Sequence, residues 1–133
     1  MNDGSSNFSG LREEWSLLVH SFIDQDPEVH PKLNANDLSL EQIQVLQKEL
    51  SLRRRTLNQK IDDIKKEIED LNAVTENLIL VGSNTVEIQN DITALHQDGE
   101  KVSNEIFAVE AKIKKIHDLK EKMLILADLA QAQ

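Results

Sequence analysis

The sequence predicts an all-α fold of long coiled-coil helices, with an antiparallel helical hairpin turning near Gly82 and a short helix ahead of it. Three observations carry that expectation. First, apolar residues recur at alternating steps of four and three through Leu57, Ile61, Ile64, Ile68 and Leu71, continuing by way of Thr75 to Leu78. The pattern returns through Ile88, Ile92, Leu95, Val102, Ile106, Val109, Ile113 and Ile116 and runs on to Met123. A period of 3.5 residues keeps one apolar ridge facing a neighbouring helix while the pair supercoils left-handedly. Second, 133 residues hold only three Phe, one Trp, four Gly and two Pro, too few for the packing mass and turns of a globular sheet domain. Leu, Ile, Lys, Glu, Asp and Gln dominate instead, as they do in long helices. Third, the ridge changes phase at Gly82-Ser83-Asn84-Thr85, four successive residues of poor helix propensity.

Residues 1–7 are mostly small and polar, and 1–8 are expected to be disordered. Leu11, Trp15, Leu18 and Phe22 then share one helical stripe, which predicts a short amphipathic helix over 9–23. So short a helix is marginal in water and must dock on something. Pro27 and Pro31 make 24–38 a connection, because each lacks an amide donor and restricts the residue before it. Ser39 followed three residues later by Gln42 is a capping-box signature, with Leu38 and Ile43 placed to staple it.

The coiled-coil region is expected over 39–130. Counting the heptad back from Leu57 gives Leu50, Ile43 and Leu40, with Gln47 and Arg54 as polar interruptions. Gln47, Arg54 and Thr75 would then fix register at some cost in stability. Beyond the phase break the frame counts back to Val81 and Thr85. Either one helix passes through with a three-residue insertion, or Gly82 ends one arm (39–81) and Ser83 or Asn84 caps the next (84–130), Glu87 completing a box. Equal arm lengths favour the hairpin. So does a clustering of apolar residues outside the ridge at Val45, Leu46 and Leu52 and at Leu124, Ile125 and Leu129, which folding at Gly82 would bring together. Against it, the same fold would bring Arg53, Arg54 and Arg55 towards Lys112, Lys114 and Lys115. His96-Gln97-Asp98-Gly99 is a lesser candidate break.

The formal charge is −9, which repels nucleic-acid phosphates and argues against a DNA or RNA ligand. Cysteine is absent, so thiolate metal sites, disulfides and cysteine nucleophiles are excluded together. None of the four histidines pairs with another at the i, i+3 or i, i+4 spacing of a helical metal site. There is no glycine-rich phosphate cradle and no nucleophile elbow. These readings imply no enzyme, no cofactor, no metal and no small-molecule substrate. No run reaches the ~18 apolar residues of a membrane span, and the N-terminus lacks the basic and apolar regions of a secretory signal. The expectation is a soluble intracellular protein, cytoplasmic or nuclear.

What remains is binding. The ridge itself is the expected seam for partner helices. Trp15 and Phe22 are candidate docking anchors in an aromatic-poor chain. Arg53-Arg54-Arg55 is a candidate docking patch for an acidic surface, whether membrane or cytoskeleton. Leu124, Ile125 and Leu129 lie in a tail that is apolar around most of its circumference, as a buried helix is. The expected role is a non-enzymatic scaffolding strut in a hetero-oligomeric complex, co-assembling with other helical subunits. In general character it looks like the small helical subunits of kinetochore or vesicle-tethering complexes, a likeness of size, charge and heptads only. An adaptor using the basic patch and a stand-alone homodimeric coiled coil are the alternatives.

Overall fold

The computed structural model describes residues 3–25 and 32–131, and these form three helices in the order α1 (Asp3–Gln25), α2 (Leu40–Leu80) and α3 (Val86–Gln131). The long helices α2 and α3 pack against each other as a hairpin. The chain divides into two compact units: residues 1–52 with 110–133, and residues 53–109. Residues 26–31 of the expected connection, and residues 1–2 of the expected disordered segment, lie outside the described residues.

In the first unit α1 begins at Asp3, six residues before the expected start. The stripe explains the extension, since Phe8 is half-buried and continues Leu11, Trp15, Leu18 and Phe22 by one step. The interior is built from Leu11, Trp15, Val19 and Phe22 of α1, Leu33 of the connection, Ile43, Leu46 and Leu50 of α2, and Ile116 and Leu119 of α3. Burial of each such side chain contributes roughly 1.5–3 kcal/mol. A helix packed on two sides needs a broad apolar stripe, and α2 here half-buries Gln42, Val45, Gln47 and Glu49 around its fully buried residues. On α3 the stripe widens likewise, with Lys112, Ile113, Lys120 and Met123 half-buried beside Ile116 and Leu119.

The segment entering α2 is fastened from both sides. Trp15 Nε1 donates to the Asn34 carbonyl at 2.9 Å. Gln42 accepts from the Asn34 amide through Oε1 and donates to the Lys32 carbonyl through Nε2, both at 2.8 Å. A turn follows in which the Asp37 amide donates to the Asn34 carbonyl and the Asn36 amide to Asn34 Oδ1. Only half of the expected capping box forms. The Gln42 amide donates to Ser39 Oγ at 3.2 Å, and Ile43 closes the first helical bond on the Ser39 carbonyl. The Gln42 side chain holds the connection instead of returning to Ser39.

Within the second unit the buried face narrows to a single seam. Leu57 and Val109 are buried, while Ile61, Ile64, Ile68, Leu71, Thr75 and Leu78 on α2 are half-buried. Their counterparts on α3, from Thr85 and Ile88 through Ile92, Leu95, Gly99, Val102 and Ile106, are half-buried too. Intervening positions are almost all exposed, as expected where each helix has one neighbour. Gly99 faces Ile64, whose Cγ2 lies 3.6 Å from where a Cβ on Gly99 would stand. From that pair the antiparallel count sets Ile68 across from Leu95, Leu71 from Ile92 and Thr75 from Ile88. Helix α3 runs unbroken through Gly99, so the lesser candidate break is not one.

The frame of early α2 also needs correction. Leu46 is buried and Arg53 half-buried on the seam side, whereas Arg54 is exposed and Leu40 is 41% exposed. The buried stripe steps through Leu50, Arg53, Leu57 and Ile61 at intervals of three, four and four. A strict heptad counted backwards from Ile61 reaches the same Leu57 and Leu50 but places Arg54, not Arg53, between them. Arg53 pairs with Glu105 at 3.7 Å. Arg53 therefore meets a carboxylate from α3.

The hairpin turn is fixed by its backbone. Gly82 sits at φ +72°, its amide donates to the Ile79 carbonyl at 3.1 Å, and the Ser83 amide donates to the Leu78 carbonyl at 2.9 Å. These two bonds are the Schellman pair that satisfies the last carbonyls of a helix, and the left-handed residue they require is glycine by preference. The cap of α3 is Thr85, not Ser83 or Asn84. Its carbonyl takes the Gln89 amide at 2.9 Å, while Asn84 Oδ1 accepts from the Val86 amide.

Candidate functional site

The chemistry available for binding is set by which apolar and charged groups the packing leaves outside. Trp15 and Phe22, expected as docking anchors, are interior: Trp15 is 0% and Phe22 3% exposed. Their bulk closes the first unit's own core, and the Trp15 indole N–H is spent on Asn34. A lone tryptophan stripe on a marginal helix has to be covered first by the rest of the chain, and here it is.

The seam residues from Leu57 to Leu78 and from Ile88 to Val109 are brought together across the hairpin, so the arms shield each other. The shield is incomplete at Gly99. The missing side chain leaves a shallow groove lined by Ile61, Ile64, Ile68, Leu95, Gly99 and Ser103, with charged residues at its margin. Ile113, Ile116 and Met123 belong to the first unit, where Ile116 is fully buried and the other two half-buried.

The three arginines differ in exposure: Arg53 is half-buried beside Glu105, whereas Arg54 and Arg55 are exposed. A partly exposed pair of this length adds less than about 1 kcal/mol, so its consequence is to direct the guanidinium rather than to hold the fold.

On α3, Leu124, Ile125 and Leu129 are 41, 58 and 58% exposed. Ile125 and Leu129 are one turn apart and share a face. Nearby, Lys122 reaches Glu14 of α1 at 3.6 Å. A single exposed leucine on a surface is ordinary; here three large aliphatics within six residues near the end of α3 are exposed.

A second patch was not identified as such in the sequence. Ile79, Leu80, Val81 and Val86 surround the turn at 62, 82, 74 and 59% exposure. The heptad count assigned Val81 to the seam, but the Schellman turn points it outward. The available signal was composition: tight turns favour Gly, Asn, Asp and Ser, and this one is flanked by aliphatic residues on both sides.

Among the described residues no three His, Cys, Asp or Glu side chains gather as a metal site would require. No helix among them is long and apolar enough to cross a membrane. Comparison with family models, curated proteins and solved structures returns no match, so any reading of function stands on this geometry.

Proposed function

We propose that this chain is a non-catalytic helical-hairpin subunit of a multi-protein intracellular assembly, acting as a strut that holds other helical subunits. The exposed aliphatic turns at the end of α3 carry the reading. Leu124, Ile125 and Leu129 offer a partner helix the kind of surface that α2 and α3 bury between themselves. Binding would be driven by apolar burial at about 25 cal/mol per Å², less the cost of ordering side chains and losing free rotation. The small, acidic, heptad-built character supports a setting such as a kinetochore or a vesicle-tethering complex. A basic-patch adaptor has less support, because Arg53 is engaged by Glu105 and two exposed arginines are a weak electrostatic dock.

The test compares the full chain with an Ile125→Asp/Leu129→Asp variant. Circular dichroism should show unchanged helicity, because both side chains are already largely in water. Affinity purification followed by mass spectrometry should recover a defined set of coiled-coil proteins with the parent and lose it with the variant. An identical set from both, or a monodisperse parent with no specific companions, would overturn the proposal. Sedimentation of the purified parent separates the homodimer alternative.

A further inference from the structure

We propose that the hairpin tip is a second docking site, suited to an amphipathic helix of a partner protein whose apolar stripe is flanked by lysine and arginine. The site is Ile79, Leu80, Val81 and Val86, all more than half exposed, held on a turn whose geometry does not need them. Gly82 supplies the left-handed residue, the Schellman bonds come from backbone groups, and Thr85 and Asn84 start α3. Polar residues at 79, 80, 81 and 86 would leave every one of those interactions in place. The aliphatics therefore answer to something outside the chain. The hydrogen-bonded turn holds their backbone ready, which lowers the ordering cost that binding would otherwise incur.

Charge decides what that something is. From residue 67 to residue 100 the sequence contains eight Asp and Glu and no Lys or Arg. Glu76, Glu87 and Asp91, the carboxylates nearest the turn in sequence, are all exposed. An apolar tip in so negative a field is repelled by anionic lipid headgroups and by the tip of a second copy, since like charges oppose both approaches. An apolar stripe flanked by cations meets the apolar residues and the field together. Complementary charge would set the encounter rate and orientation, and the aliphatic contact the lifetime.

The experiment uses the full chain and two synthetic amphipathic helical peptides of identical leucine pattern, one with lysine and one with glutamate at the polar positions. Phosphatidylcholine vesicles with and without phosphatidylserine, and a dilution series, test the competing occupants. Backbone amide shifts on titration with the lysine peptide should concentrate in residues 76–91, and the glutamate peptide should cause none. Leu80→Ser/Val81→Ser, which removes apolar surface at constant charge, should weaken the lysine peptide by roughly tenfold or more. Glu76→Gln/Glu87→Gln/Asp91→Asn should weaken it comparably and flatten its salt dependence. Both variants should melt as the parent does, since every substituted side chain is exposed. Ile125→Asp/Leu129→Asp should bind the lysine peptide as the parent does, so failure of the strut reading and failure of this one are distinguishable. Shifts spread over the whole acidic surface, serine variants that bind unchanged, tighter binding to phosphatidylserine vesicles, or tip-dependent self-association would each overturn the proposal.

Discussion

The two compact units are built from the same two long helices, yet they bury their side chains differently. Around Trp15, Ile43, Leu46, Leu50, Ile116 and Leu119 the side chains are essentially removed from water. Between Leu57 and Val109 the seam residues keep part of their surface exposed. The seam positions themselves are not less apolar there; Ile61, Ile64, Ile68 and Leu71 match the aliphatic residues of the first unit. The difference is the number of neighbours. A helix with one partner can cover only one side of each side chain, whereas α1 adds a second cover to the ends of α2 and α3. Buried area, rather than residue type, is what converts to stability.

That comparison can be broken most directly at Trp15. Trp15→Ala removes the largest fully buried side chain and the indole donor to Asn34. Truncations of this kind cost about 3–5 kcal/mol. Urea unfolding should show that loss. Native-state hydrogen exchange should place it in residues 43–50 and 113–119, with the amides of 61–71 and 92–102 much less affected. Equal deprotection of both sets would mean that the units unfold as one cooperative body and that the contrast in burial has no energetic counterpart.

The same contrast explains what could be read from the sequence. Where each helix has one neighbour, the apolar period alone determines the seam, so Ile61 to Leu78 and Ile88 to Ile106 were legible residue by residue. Where a third helix intervenes, the buried face is wider than any heptad. A count extended back from Leu57 selected Gln47 and Arg54 instead of Leu46 and Arg53. Ser39 was legible as a cap because its bond to the Gln42 amide is local. The choice of the Gln42 side chain between Ser39 and the carbonyl of Lys32 depends on where the connection lies, which no local pattern encodes. Trp15 and Phe22 were visible as anchors, but whether an anchor turns inward depends on the existence of a core to receive it. Val81 is misplaced by the heptad for a different reason: the count runs through a turn whose left-handed Gly82 directs the chain, and Val81 with it, outward.

A smaller effect is expected at the turn. Gly82→Ala keeps the volume almost unchanged, and nothing lies within 4 Å of the added Cβ. The cost comes from the backbone, since an L-residue at φ +72° is disfavoured by about 1–2 kcal/mol. Thermal unfolding should shift down accordingly. Gly82→Asn should recover part of the loss, because asparagine tolerates the left-handed region. If alanine were neutral, the turn would have an alternative closure and the two-helix unit would be softer at its tip than its hydrogen bonds imply.

The smallest effect has the opposite sign. Gly99 lies mid-helix on the seam, where glycine gives up roughly 0.5–1 kcal/mol relative to alanine through backbone entropy. Gly99→Ala places a methyl 3.6 Å from Ile64 Cγ2, ordinary van der Waals contact rather than a clash. It also narrows the groove between Ile64 and Leu95 that the missing side chain leaves open. Backbone and packing therefore act in the same direction, and the variant should be more stable by up to about 1 kcal/mol. The gain should appear in hydrogen exchange as slower opening of residues 61–71 and 92–102, leaving the amides around Ile43 and Ile116 unchanged. A loss of stability would mean that the groove does not accept a methyl at ordinary contact distance from Ile64. The half-burial of the seam would then reflect a rigid spacing set by Ile64 rather than the absence of a third helix.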